Sequence, residues 1–364
     1  MGLMAAQTQL VIGDGVIGAL GERMREAGLT GRAFVITESG VAEQFGRRVL
    51  DSLERTDFRP ALTAIEGGEE AKSLARTGEL YAWLADQRAE RRDTVVALGG
   101  GVIGDLAGFV AATYLRGVHL VQVPTTVTAQ VDSSIGGKTA VNLPQGKNLV
   151  GAFYPARLVL IDIAFLDSLP LRQLRNGWAE VIKTAVIFDR ELFEQLEHVR
   201  PEAMSRAQRL EVVERCARWK ERMVAEDPTE KGPRMLLNFG HTIGHALEAA
   251  CGYRTYLHGE AVAIGMVGAA ELSRRRGLID HALVERIEAT LRRNALPVRY
   301  APSVASVESI LHAAHSDKKA LGARLRWILV EDLGRMQIVD DVPLDLVREV
   351  LMDLRAIDSR DEKG

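Results

Sequence analysis

The chain has 364 residues, 47% of them apolar and 26% charged, with a formal net charge of −3. That balance suits two or three globular domains with ample core, and it excludes any global attraction to nucleic acid or to an anionic membrane. Positive potential has to be local, so clustered lysines and arginines carry information.

Two cysteines, Cys216 and Cys251, lack a CxxC spacing and point to a reducing compartment rather than a disulfide scaffold. Residues 1–6 lack the basic region of a secretory signal. No apolar run reaches the roughly 18 residues that span a bilayer. The expectation is a cytoplasmic protein with no nucleic-acid or membrane partner.

In chain order, the first half alternates β-branched runs with helical patterns. Residues 34–37, 94–98, 119–123 and 158–161 read as buried strands, and 41–51 and 74–91 as amphipathic helices between them. Strands interleaved with helices imply a parallel sheet covered on both faces. After about residue 175 the spacing is helical at 191–198, 207–225, 243–250, 261–275 and 281–294. The exception is a small hairpin predicted over 325–330 and 336–339, turning at Gly334. Loop breaks fall at Pro201, between Pro228 and Pro233, and between Pro297 and Pro302. The expected organisation is an α/β, Rossmann-like domain over residues 1–175 and an all-α domain over 176–364.

Three local patterns carry chemistry. Gly99, Gly100, Gly101, Val102, Ile103, Gly104 and Asp105 follow the strand at 94–98 and open a helical stretch. Glycines there let a pyrophosphate approach the backbone at a positive helix end, although the spacing is not GxGxxG. Glu38, at the end of an earlier strand, suits ribose hydroxyls; taken alone, an acidic residue there is more often just a solvated turn residue. The second pattern is the polar stretch holding Asp132, Gly136-Gly137-Lys138-Thr139 and Gly146-Lys147-Asn148. It is not a P-loop, because Asp132 stands where that motif needs glycine. What remains is two lysines on a flexible loop, suited to anions as point charges or simply solvated.

The third pattern lies in the helical half. Glu180 and Lys183 share a helix face, as do Asn238, His241 and His245 at i, i+3 and i+7. An HxxxH pair on a helix is a ready chelate, and His258, in His258-Gly259-Glu260, offers another imidazole. One carboxylate and two imidazoles would leave open positions on a divalent cation for a substrate oxygen.

Together these segments resemble the 3-dehydroquinate synthase family. The resemblance is carried by residues 99–105, 123–126, 130–139, 146–154, 179–183, 236–248 and 258–266, in the family's order and approximate spacing. It implies a dinucleotide-binding first domain, a metal- and substrate-binding second domain and an active site in the cleft between them, with NAD+ used and regenerated within each turnover, one Zn2+ or Co2+, and a homodimer. By position, cofactor contacts would fall on Glu38, Glu69, Lys72, Gly101, Val102, Ile103, Gly104, Asp105, Thr125, Thr126, Lys138, Lys147, Phe165, Leu166, Asp167 and Ser168. The resemblance makes Glu180, His241 and His258 the metal ligands and moves His245 from chelate to substrate contact. Asp132, Lys138, Asn148, Lys183, Lys220, Arg234 and Asn238 would join it. One of Lys318 and Lys319 would hold a phosphate, and Arg116 would reach in from a second subunit.

The departures are Glu38 for the family's Asp or Asn, Pro228 after Asp227 where Glu is common, and Trp178 and Thr184 beside the Glu180 motif. None removes a catalytic group. The chemistry implied is transient oxidation of a heptulosonate 7-phosphate at C5, β-elimination of phosphate, re-reduction and aldol closure. Alternatives on the same scaffold are an inosose, valiolone or amino-dehydroquinate synthase, a polyol dehydrogenase, or an inactive binding protein, which would have lost a ligand or clamp residue.

Overall fold

The computed structural model describes residues 8–319 and 325–356, with side chains omitted for 315–319. Its contacts divide the chain into two units, Met1–Pro170 with Arg206–Glu221, and Leu171–Ser205 with Arg222–Gly364.

Unit 1 is built on strands β1 (Gln9–Gly13), β2 (Ala33–Glu38), β3 (Pro60–Ile65), β4 (Thr94–Gly99), β5 (His119–Pro124) and β8 (Leu158–Asp162). They form one six-stranded sheet in the order β1-β8-β5-β4-β2-β3, and every pairing is parallel. The four predicted strands are present; β1 and β3 are additional. Helices α1 (Leu20–Glu26), α2 (Ser39–Val41), α3 (Arg47–Glu54), α4 (Leu74–Asp86) and α5 (Gly101–Thr113) connect them. Alternate sheet residues Val35, Val96, Leu98, Val121 and Val123 pack with Leu20, Met24, Val49 and Leu53 of α1 and α3. On the opposite face Phe34 meets Trp83 of α4 edge to face at 5.7 Å. Both faces are therefore dry, which explains the unbroken apolar strands.

The polar stretch expected to be a flexible loop is instead an antiparallel hairpin, β6 (Lys138–Leu143) and β7 (Gly146–Phe153). It packs on α5, where Gly108 leaves room for Thr139; a Cβ on Gly108 would lie 2.5 Å from the threonine methyl.

Unit 2 holds α6 (Leu171–Phe188), α7 (Arg190–Leu196), α9 (His241–Ala250), α10 (His258–Arg275), α11 (His281–Arg293), α12 (Val307–Lys319) and α13 (Leu344–Asp353). It also holds the expected hairpin, β9 (Trp327–Asp332) and β10 (Arg335–Val339). The 21-residue α8 (Arg206–Glu226) reads as part of the helical half, yet Arg206–Glu221 belongs to unit 1. Arg206 pairs with Asp14 (3.0 Å) and with Asp167, Arg209 pairs with Asp167 (2.9 Å), and Lys220 pairs with Asp132. Ion pairs to sequence-distant partners leave no trace in helical periodicity. Among the described residues no helix is long and apolar enough to cross a membrane.

Candidate active site

The nucleotide half follows from strand order. From β2 the chain moves to β3 on one side, then returns to β4 on the other, so the order reverses between β2 and β4. Ligands in such sheets lie beyond the carboxyl ends of the strands at this reversal. Glu38 ends β2 and Gly99 ends β4, and the two strands pair in register up to Thr37 and Leu98. Gly101, Val102, Ile103, Gly104 and Asp105 form the first turns of α5, a 13-residue helix with no side-chain cap and no acidic residue in its first turn. Its unpaired N–H groups and dipole end suit a diphosphate. Glycine is needed where the turn is crowded: a Cβ on Gly99 would meet Ile103 at 2.7 Å, and one on Gly104 the Gln122 amide oxygen at 2.9 Å.

Around this turn the expected residues gather. Thr125 is buried and its N–H donates to the Gly99 carbonyl (3.0 Å), while Thr126 Oγ1 accepts from Ala129 N (3.3 Å). Lys72, buried, donates to both Asp105 and Asn148. Burial raises the Asp105 carboxyl, and Lys72 works against that rise. Burial likewise raises Glu38, whose carboxylate lies over Gly67, where a Cβ would fall 2.4 Å from Oε2. Glu69 accepts from Asn142 Nδ2 (2.8 Å) and lies 4.0 Å from Lys147. Asn142 Oδ1 also accepts from Asn148 N (2.9 Å), which holds Asn148 in a left-handed conformation with φ 57°.

Other expected residues sit differently. In the turn after β8, Phe165 and Leu166 are buried; Phe165 packs edge to face with Phe45 at 4.7 Å, so they offer backbone rather than side chains. Asp167 is engaged by Arg206 and Arg209, and Ser168 Oγ donates to the Phe165 carbonyl (2.7 Å). Arg116 is exposed in the turn after α5, also with positive φ (65°). Lys138 is exposed at the start of β6.

The metal half is assembled from α6, α9 and α10. Glu180 and Lys183, one turn apart on α6, are buried and ion-paired. Glu180 Oε1 lies 3.6 Å from His241 Nε2 and 3.5 Å from His258 Nε2. Four donors held tetrahedrally at about 2.0–2.1 Å from Zn2+ stand about 3.3–3.4 Å apart, so each imidazole lies near the distance from Glu180 Oε1 at which the two could share an ion. Glu180 Oε2 is paired with Lys183, whereas buried Oε1 makes no hydrogen bond of good geometry and faces both imidazoles, a position that a cation would satisfy. His241 Nδ1 lies 3.1 Å from the Phe239 carbonyl and His258 Nδ1 3.1 Å from Glu248 Oε2. Both partners can only accept, so Nδ1–H donates in each ring, and each Nε2 faces the common point.

The charges agree with this arrangement. Burial alone would raise Glu180, but Lys183 and the two imidazoles outweigh it and hold the carboxyl well below its usual range. Burial, then Lys183, holds His241 well below the ordinary imidazole value, in its neutral ligating form. Burial would lower His258 too, yet the Glu180 and Glu248 carboxylates facing its two ring nitrogens prevail and push it up to about 10. Without a metal, a proton sits where the two carboxylates require positive charge.

His245, exposed on α9, has its ring 5.1 Å from that of His241 and 5.7 Å from that of His258. Ligand atoms of the three histidines lie within 4.8 Å of one another. The contacts of Glu180 Oε1 with His241 and His258, at 3.6 and 3.5 Å, bring a carboxylate into this cluster, which so offers four candidate ligands. Asn238 does not share a helix with His241, as the spacing suggested. It ends a 3-10 turn (Pro233–Asn238), and Gly240 with φ 78° breaks the chain before α9. Its Nδ2 donates to Glu230 Oε1 (2.9 Å), and buried Arg234 donates to the Pro228 carbonyl (3.0 Å). The side chains of Lys318 and Lys319 lie outside the described residues. Lys183, Arg234, Asn238 and His245 thus belong to unit 2, and Asp132, Lys138, Asn148 and Lys220 to unit 1.

Two residues escape the motif reading, Asn142 and Glu248. Glu248 could have been found, since HxxxHxxE puts it at i+7 from His241 on one helix face. Asn142 lies in a run that spells only a strand.

Comparison with known proteins agrees with this geometry. Residues 62–176 match the family model for the 3-dehydroquinate synthase N-terminal domain and residues 177–320 that for its C-terminal domain. A 3-dehydroquinate synthase from Nostoc punctiforme is 42% identical, covering 94% of this chain and 95% of its own. One from Gloeobacter violaceus is 43% identical, covering 95% and 96%. Among solved structures, a 2-epi-5-epi-valiolone synthase from Streptomyces hygroscopicus with NAD+ and Zn2+ bound superposes with a TM-score of 0.88 at 29% identity, covering 97% and 98%. A 2-deoxy-scyllo-inosose synthase complexed with carbaglucose-6-phosphate, NAD+ and Co2+ gives 0.85 at 29%, covering 94% and 96%. A parallel sheet with a glycine turn at its reversal, a carboxylate and two imidazoles aimed at one point, and near-complete matches in sequence lead to one conclusion: the chain belongs to the 3-dehydroquinate synthase family.

Proposed function

We propose that the protein converts 3-deoxy-D-arabino-heptulosonate 7-phosphate to 3-dehydroquinate and phosphate, in the shikimate route to aromatic amino acids, as a carbon–oxygen lyase acting on a phosphate. The observation that carries this reading is the convergence of Glu180 Oε1, His241 Nε2 and His258 Nε2 in a chain 42–43% identical to synthases of that name. The solved inosose and valiolone synthases are less similar, at 29%. The inosose synthase holds a sugar-phosphate analogue, which supports a small anionic sugar phosphate as substrate here.

Glu180, His241 and His258 would hold a Zn2+ or Co2+ ion. Glu38, Glu69, Lys72, the Gly101–Asp105 turn, Thr125, Thr126 and Lys147 would hold NAD+, together with the backbone at 165–168. When bound, the nucleotide supplies reversible oxidation of a carbinol and the cation Lewis acidity at its oxygen. The side chains fix the substrate. Lys138, Lys183, Lys220 and Arg234 bind carboxylate and phosphate oxygens and hold one reacting conformer, with Lys318 or Lys319 adding to the phosphate clamp. Lys183 also keeps Glu180 ionised. His245 and Asn238 orient substrate oxygens, and the exposed His245 imidazole can relay a proton. No carboxylate is assigned as base, because the leaving phosphate can take the proton itself.

Residues 1–175 form the nucleotide half and 176–364 the metal half, with Lys220 on the part of α8 that packs with the former. The protein works as a homodimer with Arg116 reaching the partner's site, in the cytoplasm, where thiols such as Cys216 and Cys251 stay reduced. Purified protein should release phosphate from the heptulosonate phosphate, faster with added NAD+ and not at all after chelation. Net accumulation of NADH would instead identify a polyol dehydrogenase.

A further inference from the structure

We infer that Glu248 is a positioning residue for the metal centre, fixing His258 so that Nε2 is presented to the ion. The inference rests on the assignment of Glu180, His241 and His258 as ligands.

α9 carries His241, His245 and Glu248 at i, i+4 and i+7, one stripe of the helix. The carboxylate at the end of that stripe reaches the first residue of α10, and Oε2 lies 3.1 Å from His258 Nδ1. Glu248 is 6% exposed. Burying a carboxylate costs several kcal/mol unless it is hydrogen-bonded to a positive or strongly polarised partner, and the His258 ring supplies one.

Two consequences follow for the ring. A carboxylate can only accept from Nδ1–H, which leaves the Nε2 lone pair for the ion. The negative charge also raises the imidazole's basicity, and with it the ligand's strength. The two histidine ligands are therefore unequal: a neutral backbone carbonyl, Phe239, orients His241, whereas an ionisable side chain orients His258. Only the second can be altered by mutation without touching a ligand. Glu248 and Glu180 also place two negative charges about the ion, the number that neutralises a divalent cation.

The test uses full-length, metal-stripped protein and measures Zn2+ affinity by competition with a chromophoric chelator. The visible spectrum of the Co2+ form and the melting midpoint of the metal-free protein are recorded alongside. Outer partners of ligating histidines are worth about 10- to 100-fold in metal affinity. Glu248→Gln keeps shape and loses charge, and should weaken Zn2+ at least tenfold in a protein that still unfolds in one cooperative transition without metal. Glu248→Ala should weaken it further and alter the Co2+ spectrum. If Glu248→Ala fails to fold, the isosteric Gln variant decides. His241→Ala is the control for the underlying assignment. Loss of Zn2+ there, with wild-type affinity in Glu248→Gln, overturns the role of Glu248 alone. Wild-type affinity in His241→Ala overturns the ligand set, and the inference with it.

Discussion

A single methyl group on Gly265 should cost this protein its metal. Gly265 lies in the middle of α10, where the helix passes the turn leading into α9, and a Cβ there would sit 1.9 Å from the Gly240 carbonyl oxygen and 2.9 Å from Gly244 N. Real Cβ atoms essentially never come closer than 3.0 Å to a neighbour, so Gly265→Ala must part the two backbones by roughly 1 Å. Alanine gains about 0.5–1 kcal/mol over glycine in a helix interior, whereas overpacking costs about 1–3 kcal/mol. The clash wins, because its partner is backbone and no rotamer relieves it.

The functional effect should exceed the loss of stability. α9 carries His241 and α10 carries His258, and metal–ligand bonds tolerate only about ±0.2 Å. A 1 Å displacement should reduce Zn2+ affinity by more than the roughly 100-fold that a lost outer partner can cost. Metal content after dialysis against a weak chelator, phosphate release and the melting midpoint of the metal-free form together test this. A Gly265→Ala protein with wild-type metal content and turnover would refute the claim that close backbone approach sets the distance between the ligands.

His241→Ala should abolish turnover through metal loss, and wild-type rates in metal-free buffer would contradict the site. Lys72→Met leaves Asp105 without its ammonium partner at the nucleotide turn and should raise the Kd for NAD+ about 30-fold or more, given that removing one partner of a close pair costs about 2–5 kcal/mol; titration of nucleotide fluorescence measures it. Glu260→Gln removes the carboxylate that accepts Leu257 N–H (2.9 Å) and Arg172 Nε (2.7 Å) at the start of α10, worth about 0.3–1.5 kcal/mol. Burial would raise Glu260, but Arg172 and the Leu257 amide outweigh it and depress the carboxyl. Its stabilisation is thus complete above the ordinary glutamate value and lost as pH falls through the lower folded one. Melting curves of wild type and Glu260→Gln should differ near neutrality and converge in acid; a gap that persists in acid would exclude the carboxylate as its cause.

The sequence by itself determined the alternation of buried strands and helices, because one chain's apolar period records which faces are dry. It also determined the glycine turn after β4 and the helical second half, and it singled out Glu180, His241, His245 and His258 as metal-directed, since those motifs are local and their chemistry depends on residue type. Only tertiary structure decided the rest. Edge strands β1 and β3, about half-buried, carry a weaker apolar signal than the central strands. Lys138 and Lys147 sit on a hairpin because β6 and β7 find each other and α5, pairings that no single strand announces. Gly240 breaks the helix that spacing drew through Asn238 and His241. The first part of α8 joins unit 1 through charges on Asp14, Asp132 and Asp167, and Glu248 meets His258 across two helices. These are all contacts between distant residues, and distance in the chain is what a local pattern cannot encode.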